Sequence, residues 1–179
     1  MFPYGTQYYR TPNPPKDEWE KDFKNMAEHG FTLVKIWAMW NWINYEPDKY
    51  DFSHLDALLE LGEKNNLKIL INIILENAPY WLIQHHREAL YVASNGEPFE
   101  PIARPNTPGG GWPGLCLDNE PVRVEAEKFM KAIGKRYAEN DTLWGYDVWN
   151  EVFFEPYGYE GFENKQFCYC KASVQSFTE

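Results

Sequence analysis

Apolar positions along the chain switch between two periods in a regular rhythm. Residues 4–9 read as a short strand. Asn13-Pro14-Pro15 then has the order of a helix start, a capping side chain followed by proline in the first turn. Trp19, Phe23, Met26 and Ala27 recur at i, i+4, i+7 and i+8, which is one apolar helical face, and Gly30 stands where that helix should stop. Residues 31–38 are β-branched and aromatic and predict a second strand. Ser53 with Asp56 predicts the next helix start in a variant of the capping box, with Leu55, Leu58 and Leu59 as its buried side. Residues 67–75 are a nearly unbroken apolar run, the pattern of a strand buried on both faces. Residues 76–118 break the rhythm with dense Pro, Gly and Asn, and predict a long loop holding one short helix near residues 79–86. A loop of that length in a compact domain usually carries function. A third long helix is predicted from Asn119-Glu120-Pro121, with Val122, Ala126, Phe129, Met130, Ile133 and Tyr137 in helical period. Residues 143–149 predict a fourth strand, followed by an aromatic loop and a helix from about Glu163.

The order is therefore strand–helix, four times over. Such alternation implies a parallel sheet with right-handed crossovers. An open doubly wound sheet and part of an eight-stranded (β/α) barrel both fit. No Gly-x-Gly-x-x-Gly follows the first strand, so a dinucleotide fold has no support. No internal repeat or linker divides the chain.

Composition narrows the function classes. With 44% hydrophobic and 25% charged residues, a disordered or low-complexity protein is excluded. No apolar run approaches the roughly 18 residues of a membrane span, and the N-terminus lacks the basic and apolar regions of a signal peptide, so a cytoplasmic protein without a membrane partner is expected. A net charge of −10 argues against nucleic acid as a partner. Three cysteines are too few for a disulfide framework. The 8 Trp, 12 Tyr and 11 Phe offer more ring surface than a core of this size needs, so some should line a binding face.

In either parallel architecture, ligands sit at the C-terminal ends of the strands. Those ends offer Tyr8, Tyr9 and Arg10, then Trp37, Trp40, Asn41 and Trp42, then Glu76 and Asn77, then Asn150 and Glu151. Rings stack on the C–H faces of sugars, and amides and carboxylates bind hydroxyls. Two carboxyl groups flanking a glycosidic bond are the minimum machinery for glycoside hydrolysis. Trp149-Asn150-Glu151 is the sharpest signal, because a Glu held just past a buried strand among Trp149, Phe153 and Phe154 should favour the protonated form that a general acid needs. For Trp37 and Trp149, packing in the barrel core is the favoured reading. The four histidines fall at helix ends or on helices, and none is spaced like a ligand pair with the cysteines.

The chain resembles the N-terminal part of the β-galactosidases of glycoside hydrolase family 42. The resemblance rests on residues 4–10 (YGTQYYR), Trp37 through Trp42, Tyr50-Asp51-Phe52-Ser53, Ala103-Arg104-Pro105-Asn106, Cys116-Leu117-Asp118-Asn119 and Asp147-Val148-Trp149-Asn150-Glu151. It implies an α/β fold, the first half of a (β/α)8 TIM barrel of about four strand–helix units, with residues 1–179 as the N-terminal half of a catalytic domain. It implies hydrolysis of terminal non-reducing β-D-galactosides in oligosaccharides with retention, with Glu151 as general acid/base and Asn150 bonding the sugar 2-hydroxyl. Arg104 is similar to the arginine that reaches the galactose subsite. Trp40, Trp112 and Phe153 are candidate sugar platforms, and Glu76 is a candidate for binding substrate or bracing the site. The nucleophile of the clan is a second Glu on the seventh strand, so this chain is expected to supply the acid/base half and to be inactive alone. Some family members bind structural zinc through four cysteines. Cys116, Cys168 and Cys170 are similar to three of them, and Ser173 stands at the fourth. No cofactor is implied for catalysis, and the parent enzyme is expected to be a homotrimer. Two other readings stay open: a non-catalytic saccharide-binding protein on a half-barrel, and another retaining β-glycosidase of the same clan.

Overall fold

A computed structural model describes residues 2–104, 107–150 and 166–178. The elements run β1 (Gly5–Gln7), α1 (Lys16–Glu28), β2 (Leu33–Met39), α2 (Trp40–Ile43), α3 (Ser53–Lys64), β3 (Lys68–Ile74), α4 (Tyr80–His85), β4 (Ile102–Arg104), β5 (Thr107–Trp112), α5 (Glu120–Tyr137), β6 (Leu143–Asp147) and α6 (Lys171–Thr178). Among the described residues, β1, β2, β3 and β6 form a parallel sheet in that spatial order. Each strand pairs with the next strand–helix unit of the chain. A barrel wall grows this way, whereas a doubly wound sheet reverses its order at a switch point. The alternation predicted from sequence is thus a partial barrel.

Strand alternation divides the side chains between two faces. Val34, Ile36 and Ala38 of β2 and Ile69, Ile71 and Ile73 of β3 join Phe23, Leu55, Leu58, Phe129 and Ile133 of the covering helices in the main core. Trp37, Met39 and Ile74 form a separate buried cluster on the opposite face, which is the barrel interior. Trp37 is therefore packed in the interior, as favoured from sequence. Gly62 lets α3 lie close on the sheet, since a Cβ there would sit 2.9 Å from both Ile69 Cγ1 and Thr142 Cγ2.

Helix starts hold two corrections. Asn13 does not cap α1: it exchanges backbone hydrogen bonds of 2.8 Å with Arg10 in a tight turn, and the N-cap is Pro15, with no side-chain cap. Ser53 and Asp56 do not form a capping box. The N-cap is Phe52, with no side-chain cap; Asp51 before it accepts the Ser53 N–H on Oδ1 at 2.8 Å, and hydrogen bonding from the Ser53 side chain first, then from this N–H, lowers the Asp51 pKa. Asp56 ties α3 to α5, accepting from Arg136 at 2.8 and 2.6 Å and from the buried Tyr137 hydroxyl at 2.9 Å. The start of α5 is as predicted, with the Asn119 side chain accepting from the Val122 N–H.

The loop over residues 76–118 has more order than its composition suggests. Besides α4 it holds an antiparallel hairpin, with Ile102 opposite Trp112 and Arg104 opposite Thr107. The helix predicted from Glu163 starts at a residue outside the described ones, and α6 is described from Lys171.

The Asp56 network gives a stability prediction. Asp56→Ala leaves the Tyr137 hydroxyl, on a side chain 2% exposed, without its acceptor. The expected loss is about 1–3 kcal/mol, the penalty of a buried unsatisfied donor, read by urea denaturation. Asp56→Asn keeps an acceptor and should recover most of it. Equal midpoints for Asp56→Ala and the parent would contradict the role assigned to this carboxylate.

Candidate active site

The C-terminal ends of the strands are built from two sets of contacts. The first lies on the barrel interior. The Arg10 guanidinium sits 3.4 Å from the centroid of the Trp37 ring, a cation–π contact that fixes the chain just past β1 over β2. Asn72 is wholly buried on β3 and donates to the Asp147 carbonyl at 3.0 Å. Lys35 reaches across β3 to Asp147 on β6 at 2.7 Å. Both partners of that pair are partly exposed, so it is worth at most about 1 kcal/mol. Its effect is to align three strands on one face.

The second set docks the hairpin. Asn41, in the first turn after β2, donates its side-chain N–H groups to the carbonyls of Gly109 and Gly110 at 2.8 and 2.9 Å. Asn77, just past β3, donates to the same Gly110 carbonyl at 2.5 Å. The Ala78 N–H reaches the Gly111 carbonyl at 3.3 Å. Gly111 has φ +81°, and a Cβ there would lie 2.5 Å from the Ala78 carbonyl oxygen, so only glycine permits this approach. The two asparagines thus clamp β5 onto the ends of β2 and β3. From the sequence they are visible as strand-end amides, but their clamping role is not, because the partners are backbone carbonyls of a distant glycine run.

The clamp brings Arg104 and Trp112 to the same end of the sheet. They stack on each other, the guanidinium 4.2 Å from the ring centroid, and Trp112 meets Phe99 edge to face. Glu76 lies two residues past the end of β3, and the backbone of Gly114 lies against its carbonyl. Burial first, then the charges of Cys116, Cys168, Glu76 and Asp118, push the Tyr91 hydroxyl up. Asn150 is half-buried, three residues past the end of β6, and Trp149 packs against the main core. Glu151 and Phe153 lie outside the described residues.

Trp40 requires a correction. Its ring is fully buried, stacks on Phe129 of α5 at 5.9 Å, and donates to Asn44 Oδ1 at 3.2 Å. A ring so enclosed presents no face to a sugar. The expected platform is a core residue.

The three cysteines converge from two places. Cys116 lies just before α5, and Cys168 and Cys170 lie just before α6; their sulfurs are all within 4.8 Å of one another. The Cys168 sulfur accepts the N–H groups of Val92 at 3.4 Å and Cys170 at 3.3 Å, and the Cys170 sulfur accepts that of Ser173 at 3.4 Å. The hydrogen bond from Cys116, with these amides, holds the Cys168 thiol below its ordinary range, and the same bond with burial pushes the Cys116 thiol up. The donor set fits zinc. A tetrahedral zinc with Zn–S bonds of about 2.3 Å needs sulfurs about 3.8 Å apart, a contraction of about 1 Å at most from this arrangement.

Comparison with known proteins gives the site its context. The family model for β-galactosidases of glycoside hydrolase family 42 matches residues 8–179. The chain is 27% identical to the β-galactosidase BgaH of Haloferax lucentense, over 92% of this chain and 22% of that protein. It is 31% identical to the β-galactosidase BbgII of Bifidobacterium bifidum, over 83% of this chain and 20% of that protein. The crystal structure of a β-galactosidase from the psychrophilic Marinomonas ef1 superposes with a TM-score of 0.76 at 20% identity, over 98% of this chain and 24% of that one. The chain therefore spans about a fifth to a quarter of the length of the relatives it matches. Its four parallel strands are part of a TIM barrel of the kind those structures share. By the family-model match over residues 8–179, this chain belongs to glycoside hydrolase family 42.

Proposed function

We propose that residues 1–179 are the N-terminal half of the catalytic barrel of a β-galactosidase that hydrolyses terminal non-reducing β-D-galactosides with retention. One observation carries this reading. The family match spans residues 8–179, and Asn150, which precedes Glu151 in the sequence, follows the fourth strand of the parallel sheet, at the end where the Arg104–Trp112 hairpin docks. The two relatives named above are both called β-galactosidases, which supports a galactoside over another β-glycoside as the substrate in this reading.

The mechanism assigns each residue a step. Glu151 gives its proton to the glycosidic oxygen as the C–O bond breaks. A nucleophilic carboxylate, about 5–5.5 Å from Glu151, attacks the anomeric carbon from the opposite face and forms a glycosyl-enzyme. Glu151, now a carboxylate, takes a proton from water, and the water oxygen displaces the nucleophile. Two inversions give net retention. Asn150 bonds the 2-hydroxyl, an interaction that strengthens in the transition state. Arg104 reads galactose hydroxyls, Trp112 and Phe153 supply apolar ring surface, and Glu76 braces the strand end. In this reading the nucleophile comes from sequence beyond these residues. Zinc held by Cys116, Cys168 and Cys170 would be structural, cross-linking the segment before α5 to the start of α6.

The test is activity of the purified 179-residue chain on a chromogenic β-galactoside. The expected rate is no higher than that of the Glu151→Gln variant. Robust turnover that Glu151→Gln abolishes would show that both carboxylates reside in this chain, against the proposal.

A further inference from the structure

Trp40 turns inward at the end of β2, and Trp42 turns out. Residues two apart on a helix point about 200° apart, so the buried Trp40 leaves Trp42 of α2 facing solvent, 43% exposed. Tyr45, just past α2, and Tyr80, at the start of α4, are exposed as well. The Trp81 indole N–H donates to the Asn44 carbonyl at 3.0 Å and ties the two loops that carry these rings. A single exposed ring needs no explanation, but three in two tied loops at the strand ends form a patch, and such patches mark binding sites. Trp42 is the member that borders the hairpin. Gly109 lies at the Cε3 edge of its ring, 3.9 Å from where a Cβ would stand. The His54 ring stands 6.3 Å from it, tilted by 37°, and is itself held by the Tyr9 hydroxyl at 2.6 Å. Gly109 is two residues along β5 from Thr107, the partner of Arg104, a step of at most about 7 Å. Measured along β5, Trp42 is thus displaced from Arg104 by a distance on the scale of one sugar residue.

We propose that Trp42 is the platform for the aglycone sugar, the unit on the leaving side of the scissile bond, and that it makes the site favour a saccharide over a simple alkyl group there. The inference rests on the galactosidase reading above, with Arg104 on the galactose itself. An indole face covers the C–H face of a pyranose and removes it from water, while the sugar hydroxyls stay in solvent. A rigid ring with only two side-chain torsions makes this contact at low entropic cost. The aglycone lies beyond the atoms that change charge, so the contact is equal in the ground state and the transition state, and its effect falls on KM.

The experiment uses the complete barrel carrying these residues, with a β-galactosyl disaccharide and methyl β-galactoside as substrates. Both release an alkoxide, so they differ in the aglycone and not in the demand for a proton. Trp42→Ala should lower the ratio of kcat/KM, disaccharide over methyl galactoside, about 3–10-fold, the size of one aromatic contact. The loss should lie in KM for the disaccharide. Trp42→Tyr keeps a ring and should hold most of the ratio, whereas Trp42→Leu keeps apolar bulk without a ring and should lose it. Both keep a large side chain, so the outcome does not depend on the alanine variant folding. A ratio as high in Trp42→Ala and Trp42→Leu as in an active parent overturns this inference and leaves the galactosidase reading standing. A parent inactive on both substrates overturns that reading, and this inference with it.

Discussion

In a complete barrel carrying these 179 residues, Glu151→Gln should lower kcat/KM on an unactivated β-galactoside about 10² to 10⁴-fold, the usual contribution of a positioned general acid. The loss should depend on the leaving group. An alkoxide leaves badly and needs the proton; a dinitrophenolate leaves without it. With a dinitrophenyl galactoside the first step should survive in the variant, and the slow step becomes hydrolysis of the glycosyl-enzyme, where Glu151 acts as base. KM for that substrate should then fall, because the intermediate accumulates. The alkaline limb of the pH profile should also vanish, since that limb reports loss of the acid's proton. A uniform loss across leaving groups would instead assign Glu151 to binding.

The second large effect is expected at Gly111. Gly111→Ala forces a side chain into a backbone at φ +81° and puts a Cβ 2.5 Å from the Ala78 carbonyl. A non-glycine residue in that region costs about 1–3 kcal/mol, before the clash is counted. The strain is relieved by lifting β5 off residues 77 and 78, which breaks the bonds that Asn41 and Asn77 make to Gly109 and Gly110. Arg104 and Trp112 move with it. The expected result is a fall in melting temperature of several degrees and a rise in KM for galactosides in the complete barrel. Gly109→Ala is the control: its Cβ would meet only the Asn41 side chain, at 3.4 Å, and Trp42, at 3.9 Å, so both values should stay near those of the parent. Equal behaviour of the two variants would contradict the clamp.

Much of this fold is legible along the chain, for physical reasons. The apolar run that becomes β3 is buried on both faces, so between Ile69 and Ile74 only the buried Asn72 interrupts it. Asn119 and Pro121 mark the start of α5, and its buried Val122, Ala126, Phe129, Ile133 and Tyr137 keep the helical period. The β4–β5 hairpin has no such signature. Its Thr-Pro-Gly-Gly-Gly-Trp strand lacks alternation, because it is held by side-chain amides from elsewhere rather than by its own apolar face. Trp40 shows a different limit. It stands at the turn from β2 into α2, where strand parity ends, and sequence alone does not say which way the ring turns. Asp56 was readable as a charged residue near a helix start, but its partner lies 80 residues away on α5.

The measurement that tests the central assignment most directly is azide rescue of a Glu151→Ala variant in the complete barrel. Removing the acid/base leaves space beside the anomeric carbon, and azide needs no general base to attack the glycosyl-enzyme. The predicted product is β-galactosyl azide, with the rate restored in proportion to azide concentration. An α-galactosyl azide, or a variant as active as the parent without azide, would contradict the assignment of Glu151 as the acid/base of a retaining enzyme.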